Sequence, residues 1–350
     1  MQRVLPVVAR LRAKLLGNSP FSACASEVIE LAPAADRFQP APIALPGEFD
    51  RVVAPYTTVA IEVERLKEGQ RRHQPTIAYR IDDAVLGDGT LYFAGGHQVI
   101  RGRSTAPLLR PHRDCFAQMQ LCTNYHIDSY FGHWLIDSLL LELLAAQRSL
   151  AGLTLAGDPW LHEERYRELI GLKLRQSHHA RIEHLWIIDD SAINHGWISR
   201  MEDLRRRVRS TLVRSGPKRV MLSRGTLGAR RHLVNTAEVN EALDRVGFEI
   251  VNPETEAPQS LVEKLAGAEM AITIEGSVQN HCWVAMPPRS TFVVIQPPTR
   301  FNSSGKMRAD AIGINYAYVV ADAHADGFYL PTGRLLQTID EVTRVAASRY

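Results

Sequence analysis

Apolar positions along the chain follow two rhythms. Between 76 and 100 they fall into short runs, "TIAYRID" (76–82), "TLYFA" (90–94) and "HQVI" (97–100), parted by Gly-Asp-Gly and Gly-Gly. Strand-length runs punctuated by glycine turns predict a small β-meander. The run "YFGHWLIDSLLLELL" (130–144) is apolar enough to vanish into a core, yet carries a histidine and an aspartate at its head, and predicts a helix. Next come a polar helix "HEERYRELIGL" (162–172), a strand "HLWIID" (184–189) and a helix "MEDLRRRVRSTLVR" (201–214). In the last, Leu204, Val208, Thr211 and Leu212 share one face, and Arg205, Arg206, Arg207, Arg209 and Arg214 decorate a solvated one. Ser215-Gly216-Pro217 ends that helix, and we place a domain boundary there.

The C-terminal half alternates strand and helix. "RVMLS" (219–223), "FEIV" (248–251), "MAITI" (270–274) and "TFVVI" (291–295) are apolar strands. Helices capped by Asn235 or Thr236, then over 259–266 and 277–286, join them. Strands joined by single helices must be parallel, with right-handed crossovers. The pattern therefore predicts four regions: an irregular Pro/Ala-rich lead-in (1–57), an α/β domain (58–214), a Rossmann-like domain (215–330) and a C-terminal helix (331–350).

Composition narrows the class. The chain has 350 residues, enough for two ordinary domains, and its 45% hydrophobic and 23% charged fractions are those of a globular protein. A net charge of +3 is too mild for a nucleic-acid binder but suits an anionic small ligand. Cys24, Cys115, Cys122 and Cys282 show no zinc spacing and read as reduced thiols, with a Cys115–Cys122 bridge as the alternative. No run approaches the ~18–20 apolar residues that span a bilayer. The opening "MQRVLPVVARLRAKLLGN" lacks the unbroken apolar centre of a signal peptide. It reads as a surface-packed N-terminus, with a short amphipathic helix resting on an anionic membrane as the alternative. The expected location is cytoplasmic, with membrane association at most peripheral.

Two stretches carry candidate chemistry. His133 and Asp137 stand four apart and share a helix face, where a carboxylate can orient an imidazole for proton transfer. A plain core hydrogen bond between them is the competing reading. His126 and Asp128 extend the polar group; a metal site from these four residues has no recognised ligand spacing. In a parallel sheet, ligands bind beyond the carboxyl ends of the strands. Ser223-Arg224, followed by Arg230 and Arg231, and Glu275-Gly276-Ser277 both fall at such ends. Guanidinium forks, a glycine turn and a helix start together make a plausible seat for a diphosphate.

These residues resemble a family. "NYHIDSYFGHWLIDSLL" (124–140) is similar to the Asn/Tyr…His-Trp-x-x-Asp signature of glycosyltransferase family 61, which includes xylan-decorating enzymes and bacterial capsular-polysaccharide proteins. Ser223, Arg224, Arg231, Asn235, Gly247-Phe248, the Glu275-Gly276-Ser277 turn and Pro287-Pro288 follow the family's order, over about residues 75 to 300. Glu275 departs from it, standing where many members have histidine. The resemblance implies an α/β, GT-B-like fold of two Rossmann-like domains facing across a cleft. It also implies an inverting transferase taking a nucleotide-sugar donor and a glycan or lipid-linked glycan acceptor, with no cofactor or metal. Asp137 or His133 is then the expected base; with Asp137, which ranks first, as base, His133 orients it or contacts substrate. Ser223, Arg224, Arg231, Asn235, Gly276 and Ser277 are expected to bind donor, and Glu275 to accept hydrogen bonds from ribose or sugar hydroxyls. His126, Asp128, Trp134 and His281 are candidates for the acceptor side or cleft. Two alternatives remain: a non-catalytic binding member of the family, or a Ser/His/Asp hydrolase. The hydrolase lacks a G-x-S-x-G elbow.

Overall fold

A computed structural model describes residues 4–102, 114–210, 212, 216–225 and 231–349. Thr211, Arg214, Ser215 and Arg230 lie outside the described residues. The chain forms two compact units: one of residues up to Ala35 with His73–Leu204, the other of Asp36–Arg72 with the residues from Arg205 onward. Among the described residues no helix is long and apolar enough to cross a membrane, and all four cysteines are free thiols.

The first unit is built on an eight-stranded mixed sheet. Its strands are β1 (Glu27–Ala32), β2 (Thr76–Gly87), β3 (Thr90–Phe93), β4 (Gly96–Val99), β5 (Asp114–Leu121), β6 (Gly152–Leu155), β7 (Arg175–Ser177) and β8 (His179–Asp189). The order is β4-β3-β2-β8-β5-β6-β7, with β1 added antiparallel to β2. The strands read as a meander are thus one end of this sheet. β8 pairs antiparallel with β2 and parallel with β5, so only part of the sheet has the parallel pairing of a Rossmann-like domain. Ile81, Leu91, Met119, Leu153, Ile182 and Leu185 build its core.

The second unit carries a five-stranded, wholly parallel sheet. Its strands are β9 (Arg219–Leu222), β10 (Glu249–Val251), β11 (Met270–Ile274), β12 (Thr291–Gln296) and β13 (Asn315–Val320), in the order β10-β9-β11-β12-β13. Every residue of β11, β12 and β13 is buried, as expected of strands covered on both faces. The order reverses between β9 and β11, and that reversal opens a crevice at their carboxyl ends. Leu222 stands opposite Thr273, so Ser223-Arg224 and Glu275-Gly276 leave the sheet side by side at that point.

Three regions differ from the sequence reading. The lead-in is not irregular: it supplies β1, and from Asp36 onward it belongs to the second unit. There Ile43 pairs with the edge of β13, donating to Tyr316 O (2.9 Å) and accepting from Tyr318 N (3.1 Å). Glu48 accepts from Val320 N at 2.6 Å. These partners lie some 270 positions away in sequence, beyond any local pattern.

The division falls at Leu204/Arg205 rather than at 214/215, inside a helix running His195–Arg209. The arginines there are not all on a solvated face. Arg205 is buried and donates to the carbonyls of Trp283 and Met286, and Arg209 donates to Ala285 O at 3.0 Å. They satisfy carbonyls left open at the end of helix Asn280–Ala285. The helix predicted over 277–286 is a 3₁₀ turn, Ser277–Gln279, followed by those six residues.

Glu62, on helix Val59–Leu66, has a fully buried carboxylate. It accepts from Ser303 N (2.8 Å), Ser303 Oγ (2.6 Å), Thr57 Oγ1 (2.5 Å) and Arg65 Nη1 (3.0 Å). Burial opposes its ionisation, but these donors outweigh burial and hold its pKa below the ordinary carboxylate value. A lowered carboxylate pKa adds stability above the ordinary carboxylate range, and that stability is lost as pH falls through the folded value. Glu62→Gln is therefore expected to cost about 2–3 kcal/mol at neutral pH. In urea unfolding curves, the gap to the wild type should narrow as pH drops below about 4.

Candidate functional site

In the first unit the site is built around a broken helix. Asn124 caps the short helix Tyr125–Ser129 by accepting from the N–H of His126 (2.9 Å) and Ile127 (3.0 Å). Tyr130 is extended, with φ −137° and ψ 120°, and ends it. The chain resumes as Phe131–His133, widens into a π-helical turn over Trp134–Ser138, and continues as Leu139–Gln147. The single helix expected over 130–144 is therefore interrupted just where its polar residues stand. π turns are uncommon and concentrate where side chains must be aimed for function.

The turn brings His133 Nδ1 to 2.5 Å from Asp137 Oδ2. The side chains are 40% and 29% exposed, so the pair is partly hydrated and escapes the cost of a buried charge. The rings of His126 and Tyr130 lie 5.5 and 6.1 Å from that of His133. Asp128 is held elsewhere, accepting from Arg101 Nε (2.8 Å) and Nη2 (2.6 Å). The set His126, Asp128, His133 and Asp137 does not converge, and no group of three or more metal-binding side chains occurs among the described residues. Trp134 is buried between Phe131 and Tyr166, with Arg167 over its ring at 5.5 Å.

Behind the pair lies a residue that spacing did not reveal. Asp190, at the end of β8, accepts from Arg200 Nη2 at 2.6 Å and from Thr76 Oγ1 at 2.8 Å. Burial raises its pKa against the pull of Arg200, and the nearby Asp137 carboxylate adds to the rise. The charge of Asp137 is thus felt by a second acidic group 53 positions on, and no local signal links the two.

The second unit's cluster sits at the β9/β11 reversal. Glu275 is 3% exposed, and both its oxygens are engaged. Oε1 accepts from Asn302 Nδ2 (3.0 Å); Oε2 pairs with Arg231 Nε (2.9 Å) and Arg300 Nη1 (3.4 Å). Three neighbours thus already engage the carboxylate for which a role toward ribose or sugar hydroxyls is expected. Arg224 Nη1 lies 3.5 Å from Glu275 O. Desolvation lowers the pKa of Arg224 and of Arg231 in spite of the acid beside them. Three guanidiniums against Glu275, with Glu254 near Arg224, leave one net positive charge. Such forks suit the oxygens of a phosphate or carboxylate. Arg300 also stacks over the half-exposed Tyr56 ring at 4.2 Å.

The other expected donor residues separate from this cluster to varying degrees. Ser277 heads the 3₁₀ turn beside it. Ser223 Oγ donates to Val251 O at 3.1 Å, tying it to the β10 edge. Asn235 does not cap its helix with its side chain; its amide donates to Leu330 O (2.8 Å) and accepts from Leu330 N (3.1 Å). His281 is buried. Arg300, Asn302 and Tyr56 were invisible to motif spacing because they lie in loops of no fixed distance from Ser223-Arg224.

Residues 131–293, just under half the chain, match the family model of glycosyltransferase 61. The matched span contains His133, Asp137, Arg224, Arg231 and Glu275, but not Arg300 or Asn302. No curated protein matches the sequence. Among solved structures, the dodecameric iron-containing heptosyltransferase TibC, in complex with ADP-D-β-D-heptose, is similar at 12% identity and a TM-score of 0.32. That likeness covers 79% of this chain and 94% of the other.

Gly276 has φ 144°, and a methyl group on it would lie 2.6 Å from Nη1 of both Arg224 and Arg231. The glycine is what lets two guanidiniums close on the backbone. Gly276→Ala should cost about 1–3 kcal/mol in urea unfolding through backbone strain and displaced arginines. A variant as stable as the wild type would show that the arginines do not pack against this turn.

Proposed function

We propose that the protein is an inverting glycosyltransferase that moves a sugar from a nucleotide-activated donor to a hydroxyl of a glycan. The observation that carries this reading is the convergence of Arg224, Arg231 and Arg300 on the Gly276 turn, at the strand-order reversal where doubly wound sheets bind nucleotides. The glycosyltransferase 61 match over 131–293 supports it.

The chemistry follows from the charges. As the acceptor oxygen bonds to the anomeric carbon, the bond from that carbon to the donor's diphosphate breaks, and the electron pair leaves with the phosphate. The arginines stabilise this negative charge, and removing one such donor typically costs ~3–4 kcal/mol of transition-state stabilisation. They do so as fixed cations, so the reading expects no metal requirement. The acceptor proton passes to Asp137, with His133 fixing the carboxylate's orientation through its 2.5 Å contact. We further propose that the acceptor is a surface or lipid-linked glycan of the capsular type, assembled on the cytoplasmic side of the membrane.

Glu275 favours a second reading, a nucleotide- or glycan-binding protein without transfer, because its carboxylate already engages the arginines a diphosphate would use. Thermal unfolding with a panel of nucleoside diphosphates and nucleotide sugars separates the two. At a hundred times its dissociation constant, a ligand should add about 2.7 kcal/mol of stability. Arg224→Ala is expected to lose that response. Asp137→Asn should keep it while transfer falls by roughly 10²–10⁴-fold. Nucleotide binding without turnover in the wild type would select the second reading; no nucleotide response at all would overturn the transferase and leave only the glycan-binding form of the second.

A further inference from the structure

The helix Leu5–Leu16 is turned inside out. A surface helix ordinarily buries its bulky apolar residues and shows water its small or polar ones. Here the fully buried residues of the packed face, Pro6 and Ala9, are small, with Ala13 half-buried and Leu5 packed in part against Val85 and Tyr92, over β3 and β4. Arg10 donates to Tyr92 Oη at 2.6 Å and fixes the helix from one side. The outward face carries Val4, Val8, Leu11 and Leu15, exposed at 45%, 54%, 55% and 78%. Their spacing of four, three and four places them in one continuous stripe. Single exposed leucines are commonplace; a full stripe of them on a docked helix is not.

The charges around the stripe identify its partner. Residues 4–16 contain Arg10, Arg12 and Lys14 and no acid. At roughly 3.6 residues per turn, Arg12 and Lys14 fall on opposite flanks of the stripe. Lys14 is exposed at the level where lipid headgroups would meet a helix lying flat, while Arg12 is half-buried and donates to Ser19 Oγ at 2.7 Å. A second copy docking through the same face would set these cations against their own counterparts. An anionic bilayer satisfies both the stripe and its flanks.

We propose that this helix is an interfacial anchor that lays Val4, Val8, Leu11 and Leu15 into a membrane of anionic lipids. The first unit holds it pre-folded, so binding does not have to supply the cost of forming a short helix. The contact is independent of the sugar-transfer reading, and its test requires no activity.

Flotation of the full chain with vesicles decides the matter, using phosphatidylcholine alone and phosphatidylcholine mixed with phosphatidylglycerol. The wild type should float with the mixed vesicles, and uptake should weaken with added salt. Leu11→Ser/Leu15→Ser should abolish flotation without shifting the thermal midpoint, since both positions point to solvent. Lys14→Gln should weaken binding about fivefold, the contribution of one cation near such a surface. Equal uptake by neutral and anionic vesicles would overturn the proposal, as would undiminished binding of the double-serine variant. Self-association in sedimentation velocity, lost in that variant and unaccompanied by flotation, would make the face a copy-to-copy interface instead.

Discussion

One buried carboxylate makes the second unit's cluster possible. Arg224, Arg231 and Arg300 approach each other closely enough for their charges to disfavour one another. Without an acid among them, this much positive charge at a partly dehydrated strand end would spread apart. Glu275 meets two of these guanidiniums with one oxygen, and Asn302 holds the other oxygen. Set at the end of β11, where its backbone is fixed by a fully buried sheet, it turns flexible side chains into a preformed site. An acid here is unfavourable only if it competes with a ligand. As an internal counter-ion it lets three cations share one crevice.

The first unit solves the opposite problem. Its apolar helix must bury a long leucine run, yet its head carries ionisable groups. Interrupting the helix at Tyr130 and widening it over Trp134–Ser138 separates the two tasks. Leu139 to Leu144 go into the core, while His133 and Asp137 stay partly hydrated and in contact. Deeper in, Glu142 remains buried beside Arg167, and burial raises its pKa despite that partner. The same helix thus holds one carboxyl that water reaches and one that it does not.

What was legible in the sequence was what is local. The strands of the second unit announce themselves as apolar runs, and Ser223-Arg224 and Glu275-Gly276 could be read as strand ends from those runs alone. Arg231 belongs with them because it stands in the loop that Ser223-Arg224 opens, and the family's order singles it out again. The rest was hidden by distance. Ile43 and Glu48 sit in a Pro/Ala-rich stretch whose hydrogen-bond partners are on β13. Asp190 joins Asp137 only through the fold of the sheet. Asn235 looked like a helix cap, but its amide is used across to Leu330, a long-range lock that has the same residue type as a local one. The π turn left no mark, since its residues keep the composition of an ordinary helix.

The interleaving of the two units has a consequence for how the chain matures. Residues 36–72 leave the ribosome early, yet Ile43, Glu48 and Glu62 find their partners only after everything through Ser303 and Val320 has been made. During that interval Glu62 has its local donors Thr57 and Arg65 but none from Ser303, and Ile43 and Glu48 wait for β13 while 73–204 and the strands before β13 are synthesised. A fragment cut at the 214/215 junction would carry the parallel sheet but lack the strap that borders β13. The second unit is therefore closed by residues from both sides of 73–204, and its β13 edge is covered only when the early strap and the late strand are both present.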